Sequence, residues 1–228
     1  MFFINIFASK KSDNVGLIIL FFVLIFFIIL FIAGIFLYKP VRNALYSKKF
    51  SYYYYKKIYK VALYRDFYLI NTFLFSPDGS NVCSIDHILF GDKYIYFIID
   101  KYYLGDISGK ENDKSLVFTP RKGRRAYTDN PLFTIDTYLK NLSMLTGLDK
   151  SLMIGVVMVN NDCHVSIQGD NNQCYIVQEK KFSSLIKAIE SRDVGKFKEA
   201  ELEKAVKSLD KMNRRRKNND WFKKKSIR

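Results

Sequence analysis

Ile85-Asp86-His87-Ile88-Leu89-Phe90-Gly91, then Tyr94-Ile95-Tyr96-Phe97-Ile98-Ile99-Asp100-Lys101, then Gly105-Asp106-Ile107-Ser108-Gly109, is the stretch that decides how this chain is read. A carboxylate marks one apolar run and a lysine ends the next. Side chains share a face of a strand only when they are two residues apart. Lys101 therefore shares its face with Ile99, and the adjacent Asp100 points to the other face of an unbulged strand. An acid and an amine converging at one end of a sheet have a chemical use. Phosphodiester hydrolysis needs an activated water and charge stabilisation on phosphorus oxygens. Mg²⁺ supplies both from one or two carboxylates plus waters, and a lysine beside it can orient the water or offset developing charge.

The order Asp86, Lys101 and Gly105-x-Ile107-x-Gly109 resembles the nuclease-related domain (NERD) family, a branch of the PD-(D/E)XK nuclease fold. The resemblance runs from about Tyr59 to about Glu190. It implies an α/β fold, a restriction-endonuclease-like mixed sheet flanked by helices. It also implies a nuclease site dependent on Mg²⁺ or Mn²⁺, with Asp86 as metal ligand and Lys101 as electrostatic partner. Asp100 becomes a displaced second metal ligand if a β-bulge near Ile99 turns it inward. The family's pattern on the second strand is Glu-x-Lys, and Ile99 stands where the Glu belongs. Two further family marks are altered. No Asp or Glu lies between Asp13 and Asp66, where a Gly-Glu pair is expected, and Asn-Pro-x-x-Gln reads Asn130-Pro131-Leu132-Phe133-Thr134. Outside that resemblance, Asp86 and His87 read as a turn carboxylate and a satisfied histidine, Asp100 as an exposed strand-end charge, and Lys101 either as the solvated end of a strand or as a structural partner of Asp86.

Charge is distributed unevenly. The chain has 228 residues and a net charge of +15. Lys39 to Lys60 holds seven basic residues and no acid, Lys211 to Arg228 has a net charge of +8, and the span 61–210 is close to neutral. Basic flanks around a neutral domain suit anionic lipid headgroups as well as nucleic acid. Inside the neutral span, Arg121-Lys122-Gly123-Arg124-Arg125 forms a cationic loop able to hold the phosphates of DNA or RNA. The three cysteines, Cys83, Cys163 and Cys174, are odd in number and lack Cys-x-x-Cys spacing, which argues against zinc and suits a reducing compartment as small buried hydrophobes.

Val15 to Tyr38 carries no charge over 24 residues, about 36 Å as a helix, longer than the hydrocarbon core of a bilayer. It exceeds the apolar region of a cleavable signal and reads as an uncleaved, single-pass anchor. Basic residues crowd its C-terminal side, so the N-terminus is expected outside and the folded domain in the cytoplasm. The organisation expected is a short flank (1–14), a transmembrane helix (15–38), a basic and aromatic juxtamembrane segment (39–58), the NERD-like domain (59–190), and a C-terminal helix with a basic tail (191–228).

Strands are expected over Tyr68 to Ser76, Asn81 to Phe90, Lys93 to Lys101, Ser115 to Thr119 and Leu152 to Val159, with His164 to Gln168 and Gln173 to Val177 as a hairpin. Asn130-Pro131 opens a helix with Leu132, Ile135, Leu139, Leu142 and Leu145 on its core stripe and Gly147 at its end. Helices follow at Lys181 to Glu190 and from Gly195 to about Lys217, the second carrying Glu203 and Lys207 four apart. Arg214 to Lys217 and Trp221 to Lys225 suit lipid headgroups, nucleic acid or a solvated tail. Three functions compete: a metal-dependent nuclease at the membrane, a nucleic-acid binder that has lost its metal site, and a catalytically inactive membrane scaffold whose basic flanks bind anionic lipid.

Overall fold

The computed structural model describes residues 3–169 and 172–213, so the basic tail and Asp170-Asn171 of the expected hairpin turn lie outside the described residues. Helix α1, Phe3–Arg65, is interrupted at Lys49, where the backbone leaves helical angles (φ −124°, ψ 17°). The chain divides there into two units, 1–49 and 50–228. The first unit is a helix with side chains such as Phe21, Phe22, Phe27 and Phe31 fully displayed. It is long and apolar enough to cross a membrane, with a mean hydropathy of 3.5 over its best 18 residues.

The second unit is α/β, with two sheets rather than the single sheet expected. The larger joins β1 (Tyr68–Phe75), β2 (Cys83–Phe90), β3 (Ile95–Lys101), β7 (Met153–Val159) and β9 (Cys174–Gln178) in the order β1-β2-β3-β7-β9. β1, β2 and β3 pair antiparallel, whereas β3, β7 and β9 run parallel. The smaller sheet has the order β6-β5-β4-β8, from β4 (Gly105–Lys110), β5 (Ser115–Pro120), β6 (Ala126–Asp129) and β8 (Val165–Gln168). The expected hairpin does not exist. β8 pairs with β4 and β9 with β7, each in parallel, so the chain changes sheets between them. The composition of a turn cannot reveal that its two arms have different partners.

Helix α2 (Pro131–Thr146) begins as its sequence requires: Asn130 Oδ1 accepts the Leu132 N–H, Pro131 stands first, and Gly147 ends the helix with φ +69°. Leu132, Ile135, Leu139 and Leu142 face the large sheet, together with Ala205 and Leu209 of α4 (Glu199–Met212) and Ile107 of the small sheet, whereas Leu145, expected on the same stripe, is exposed in the last turn. Phe73, Phe75, Ile88, Phe97, Ile99, Val157 and Val159 meet them in one core. On the opposite face of the large sheet, Leu89, Tyr96, Ile98, Val156 and Met158 are buried, as are Tyr54, Ile58 and Val61 of α1 and Phe182, Ile186 and Ile189 of α3 (Phe182–Glu190). Asn213, the cap of α4, guards the free edge of β1: its Oδ1 accepts the Leu74 N–H and its amide donates to the Thr72 carbonyl. Gly105 is the glycine that a close approach demands, because a Cβ there would strike the backbone of Thr119 and Pro120 on β5.

Candidate functional site

Strict alternation fails on β1 and β2. Ile70 and Phe73 on β1, and Ile85 and Ile88 on β2, reach the same core although each pair is three residues apart. Thr72 absorbs the mismatch with φ +56°, a left-handed conformation that a β-branched residue seldom adopts. The irregularity anticipated near Ile99 of β3 therefore sits on β1 and β2 instead, directly around Asp86 and His87.

That distortion assembles a buried polar cluster. His87 stands opposite Ile98 in the β2–β3 register, and Asp100, two residues beyond Ile98, shares that face. His87 Nε2 lies 3.3 Å from Asp100 Oδ2, with both side chains almost wholly removed from solvent. His87 Nδ1 lies 2.7 Å from the Asn71 side-chain amide at Oδ1. The ring of Tyr55 stacks on His87 at 6.2 Å, and the Tyr54 hydroxyl donates to the Lys101 carbonyl at 3.2 Å. Helix α1 thus closes over this end of β3. Asp100 Oδ1 is buried without a hydrogen-bond partner.

Asp86 is held otherwise. Its Oδ2 accepts the Asp100 N–H at 2.8 Å, just past the last paired residues of β2 and β3. Burial raises its carboxyl above the ordinary value of 3.8; the Asp100 N–H opposes that rise, and the Asp100 charge adds to it. The expected Asp86–Lys101 ion pair is absent among the described residues. Lys101 is exposed, and its charge is a minor influence on Asp86.

Neither Mg²⁺ nor Mn²⁺ fits this donor set. Ile99 is apolar and buried in the core. Asp100, proposed as a displaced second ligand, faces away from Ile99 and Lys101 and is engaged by His87. One of the two Asp86 oxygens, Oδ2, is already bonded to the backbone, which leaves a single carboxylate oxygen in the donor set. Among the described residues, no three His, Cys, Asp or Glu side chains are grouped to hold a metal ion. What the cluster does do is fix the end of β3 against α1, β1 and β2.

The loop from Arg121 to Arg125 joins β5 to β6 and is exposed throughout. Arg121 reaches Asp162 at 3.5 Å and its N–H donates to the Leu104 carbonyl, which roots the loop close after the end of β3. There Tyr102 has its phenol pushed up by burial first and by Asp162 next, with Arg121 opposing. Lys122, Arg124 and Arg125 make no ion pair among the described residues. Cys83 is half-buried on β2, Cys174 is buried on β9, and Cys163 is buried in the turn before β8 rather than within a strand; all three are free thiols. Burial raises the Cys163 thiol to about 11 and the Cys174 thiol to about 12, as expected of inert packing groups.

Asn71 and Tyr55 carried no visible signal in the sequence, and His87 read as a satisfied histidine. Asp100, expected as an exposed strand-end charge, is buried instead, because β3 stays covered to its sixth residue, and a buried acid there needs a partner such as His87. No family model, no curated protein and no solved structure matches this chain.

Proposed function

We propose that this chain is a membrane-anchored binding module that holds anionic, phosphate-bearing lipid at the cytoplasmic face, on an α/β domain of restriction-endonuclease-like, nuclease-related descent whose phosphodiesterase site is not assembled. One observation carries the reading: from Lys39 to Arg65 there are eight basic residues and no acidic one, on the helix that continues from the apolar segment. Juxtamembrane cations gain about 1 kcal/mol each near an anionic leaflet, so even a fraction of these eight suffices to select anionic lipid. Tyr52, Tyr53 and Tyr59 are exposed among them, and Lys56 lies 4.7 Å over the Tyr52 ring, the mixture of rings and cations found at headgroup depth. The positive flank also argues for the folded unit facing the cytoplasm.

The test is lipid selection by the intact protein. Purified gently and examined by mass spectrometry, the full chain should retain anionic over zwitterionic phospholipid. That preference should fall when Lys48, Lys49, Lys56, Lys57 and Lys60 are changed together to Gln. Retention in proportion to the bulk membrane sinks the proposal. A second reading, nucleic-acid binding, has one observation in its favour: Lys122, Arg124 and Arg125 are displayed without acidic partners. It requires binding to DNA or RNA that weakens steeply with salt and is lost when these three become Ala.

A further inference from the structure

We infer that the folded unit contains a discrete binding cleft for the headgroup of an anionic phospholipid, formed between the last turns of α1 and the first turn of α3. The inference rests on the membrane reading above and gives it an address. The cleft encloses about 460 Å³ and is lined by Lys57, Lys60 and Arg65 from α1 and by Ser183, Ser184 and Lys187 from α3. Four cations and three hydroxyl-bearing side chains, Tyr64 among them, line it, and no carboxylate does.

Some cations elsewhere in this unit are neutralised, whereas Lys101, Lys122, Arg124 and Arg125 are not. Lys140 and Lys150 share Asp136, Lys196 pairs with Asp92, and Lys207 pairs with Glu203. Among the described residues, none of the four cleft cations makes an ion pair; Arg65 lies 6.0 Å over the Phe67 ring, and its charge reaches the Glu190 carboxylate only as the least of the influences on it. Like charges gathered without counter-ions repel one another, and an anion between them removes that cost. α3 adds to the same field. Its own first turn holds no acid and no side-chain cap, although the short helical turn Glu179–Lys181 that runs into it starts with an acid.

A lipid fits this chemistry better than a free phosphate or a nucleic acid does. Leu63, Tyr64 and Tyr59 stand exposed on the same turns of α1, Tyr64 at 90% and Leu63 at 70%. The Leu63 side chain and the ring faces of the two tyrosines suit acyl chains and glycerol below a phosphate, and such apolar surface adds nothing to the holding of a soluble anion. The segment 39–56 links the cleft to the apolar helix, which raises the effective concentration of membrane lipid around it.

The test uses the full chain in nanodiscs of phosphatidylcholine alone or phosphatidylcholine with phosphatidylglycerol, with a brief pulse of an amine-reactive label. Labelling of Lys57, Lys60 and Lys187 should drop at least about threefold in the anionic discs, as expected from roughly 1 kcal/mol or more of local attraction. Lys114, on the distant β4–β5 turn, serves as the control and should not change. The double variant Lys57→Gln, Lys187→Gln should unfold at the wild-type temperature yet lose the protection of Lys60. Equal labelling in both discs, a drop shared by Lys114, or protection of Lys60 that survives in the double variant overturns the inference. So does protection in neutral discs by dissolved glycerophosphoglycerol, which would mark a site for a soluble phosphate ester. If anionic lipid still co-purifies while the cleft lysines stay unprotected, the cleft fails and the membrane reading stands; if enrichment is lost as well, both fail.

Discussion

β3 and β7 lie side by side, paired in parallel from Ile95↔Met153 to Lys101↔Val159, yet they end differently. β7 is apolar and buried over its whole length. β3 is buried over six residues and then closes on Asp100 and Lys101. Met158, the register partner of Asp100, occupies a comparable place with a thioether and needs no partner. The acid needs three: His87 for its carboxylate, Asn71 to fix the histidine, and Asp86 for its N–H. A buried ion pair is often no more stable than the hydrocarbon that could replace it, whereas breaking one is costly. The polar end of β3 is therefore a network that must be kept whole, and β7 shows what the same fold does without one.

Truncation in the apolar strands sets the largest effect. Phe97→Ala on β3 should cost about 3–5 kcal/mol and Met158→Ala on β7 about 2–5 kcal/mol, measured by denaturant unfolding in micelles. Equal and negligible losses would mean that these strands are not core.

Breaking the polar network by half comes next. His87→Leu leaves Asp100 buried and unpaired and should cost about 3 kcal/mol, while the double change His87→Leu, Asp100→Leu should recover most of that loss. A double variant as unstable as the single one would mean that the two residues act separately.

A smaller, pH-dependent effect belongs to Asp86. Its carboxyl lies above 3.8 in the folded protein, chiefly through burial, so folding favours the protonated form. That contribution is fully present below the unfolded value and is lost as pH rises through the raised one. Asp86→Asn keeps an acceptor for the Asp100 N–H and removes the ionisation. It should raise the unfolding temperature at pH 7 and flatten the pH dependence above pH 3.8. A variant less stable than wild type at pH 7 would mean that the charge of Asp86 is needed.

Smallest of all is Lys101→Ala. The side chain is exposed and pairs with no acid, so thermal unfolding should change by less than about 0.5 kcal/mol. A large loss would show that Lys101 belongs to the cluster after all.

The sequence was legible where periodicity or capping chemistry acts locally. The strand from Ile95 to Lys101, the Asn130-Pro131 start and Gly147 end of α2, and the Glu203–Lys207 pair, at 2.6 Å, all follow from spacing alone. The face of Asp100 followed from the two-residue period of a strand. The partners of β8 and β9 did not, because sheet exchange is decided by contacts distant in sequence. Nor did the positions of Asn71 and His87, which depend on the left-handed turn of backbone at Thr72, a residue with no sequence signature for it. Asp86 and Lys101 were expected to pair, and the backbone N–H of Asp100 takes the carboxylate instead. A main-chain donor left over at the end of a ladder leaves no trace in composition.

The most direct test is an assay of the intact protein for cleavage of single- and double-stranded DNA and of RNA with Mn²⁺, alongside Asp86→Ala. With Ile99 in the inner position and Asp100 turned to His87, the two proteins should give the same background. Cleavage by the wild type that disappears in Asp86→Ala would show that the carboxylate works on a metal, and would contradict the account.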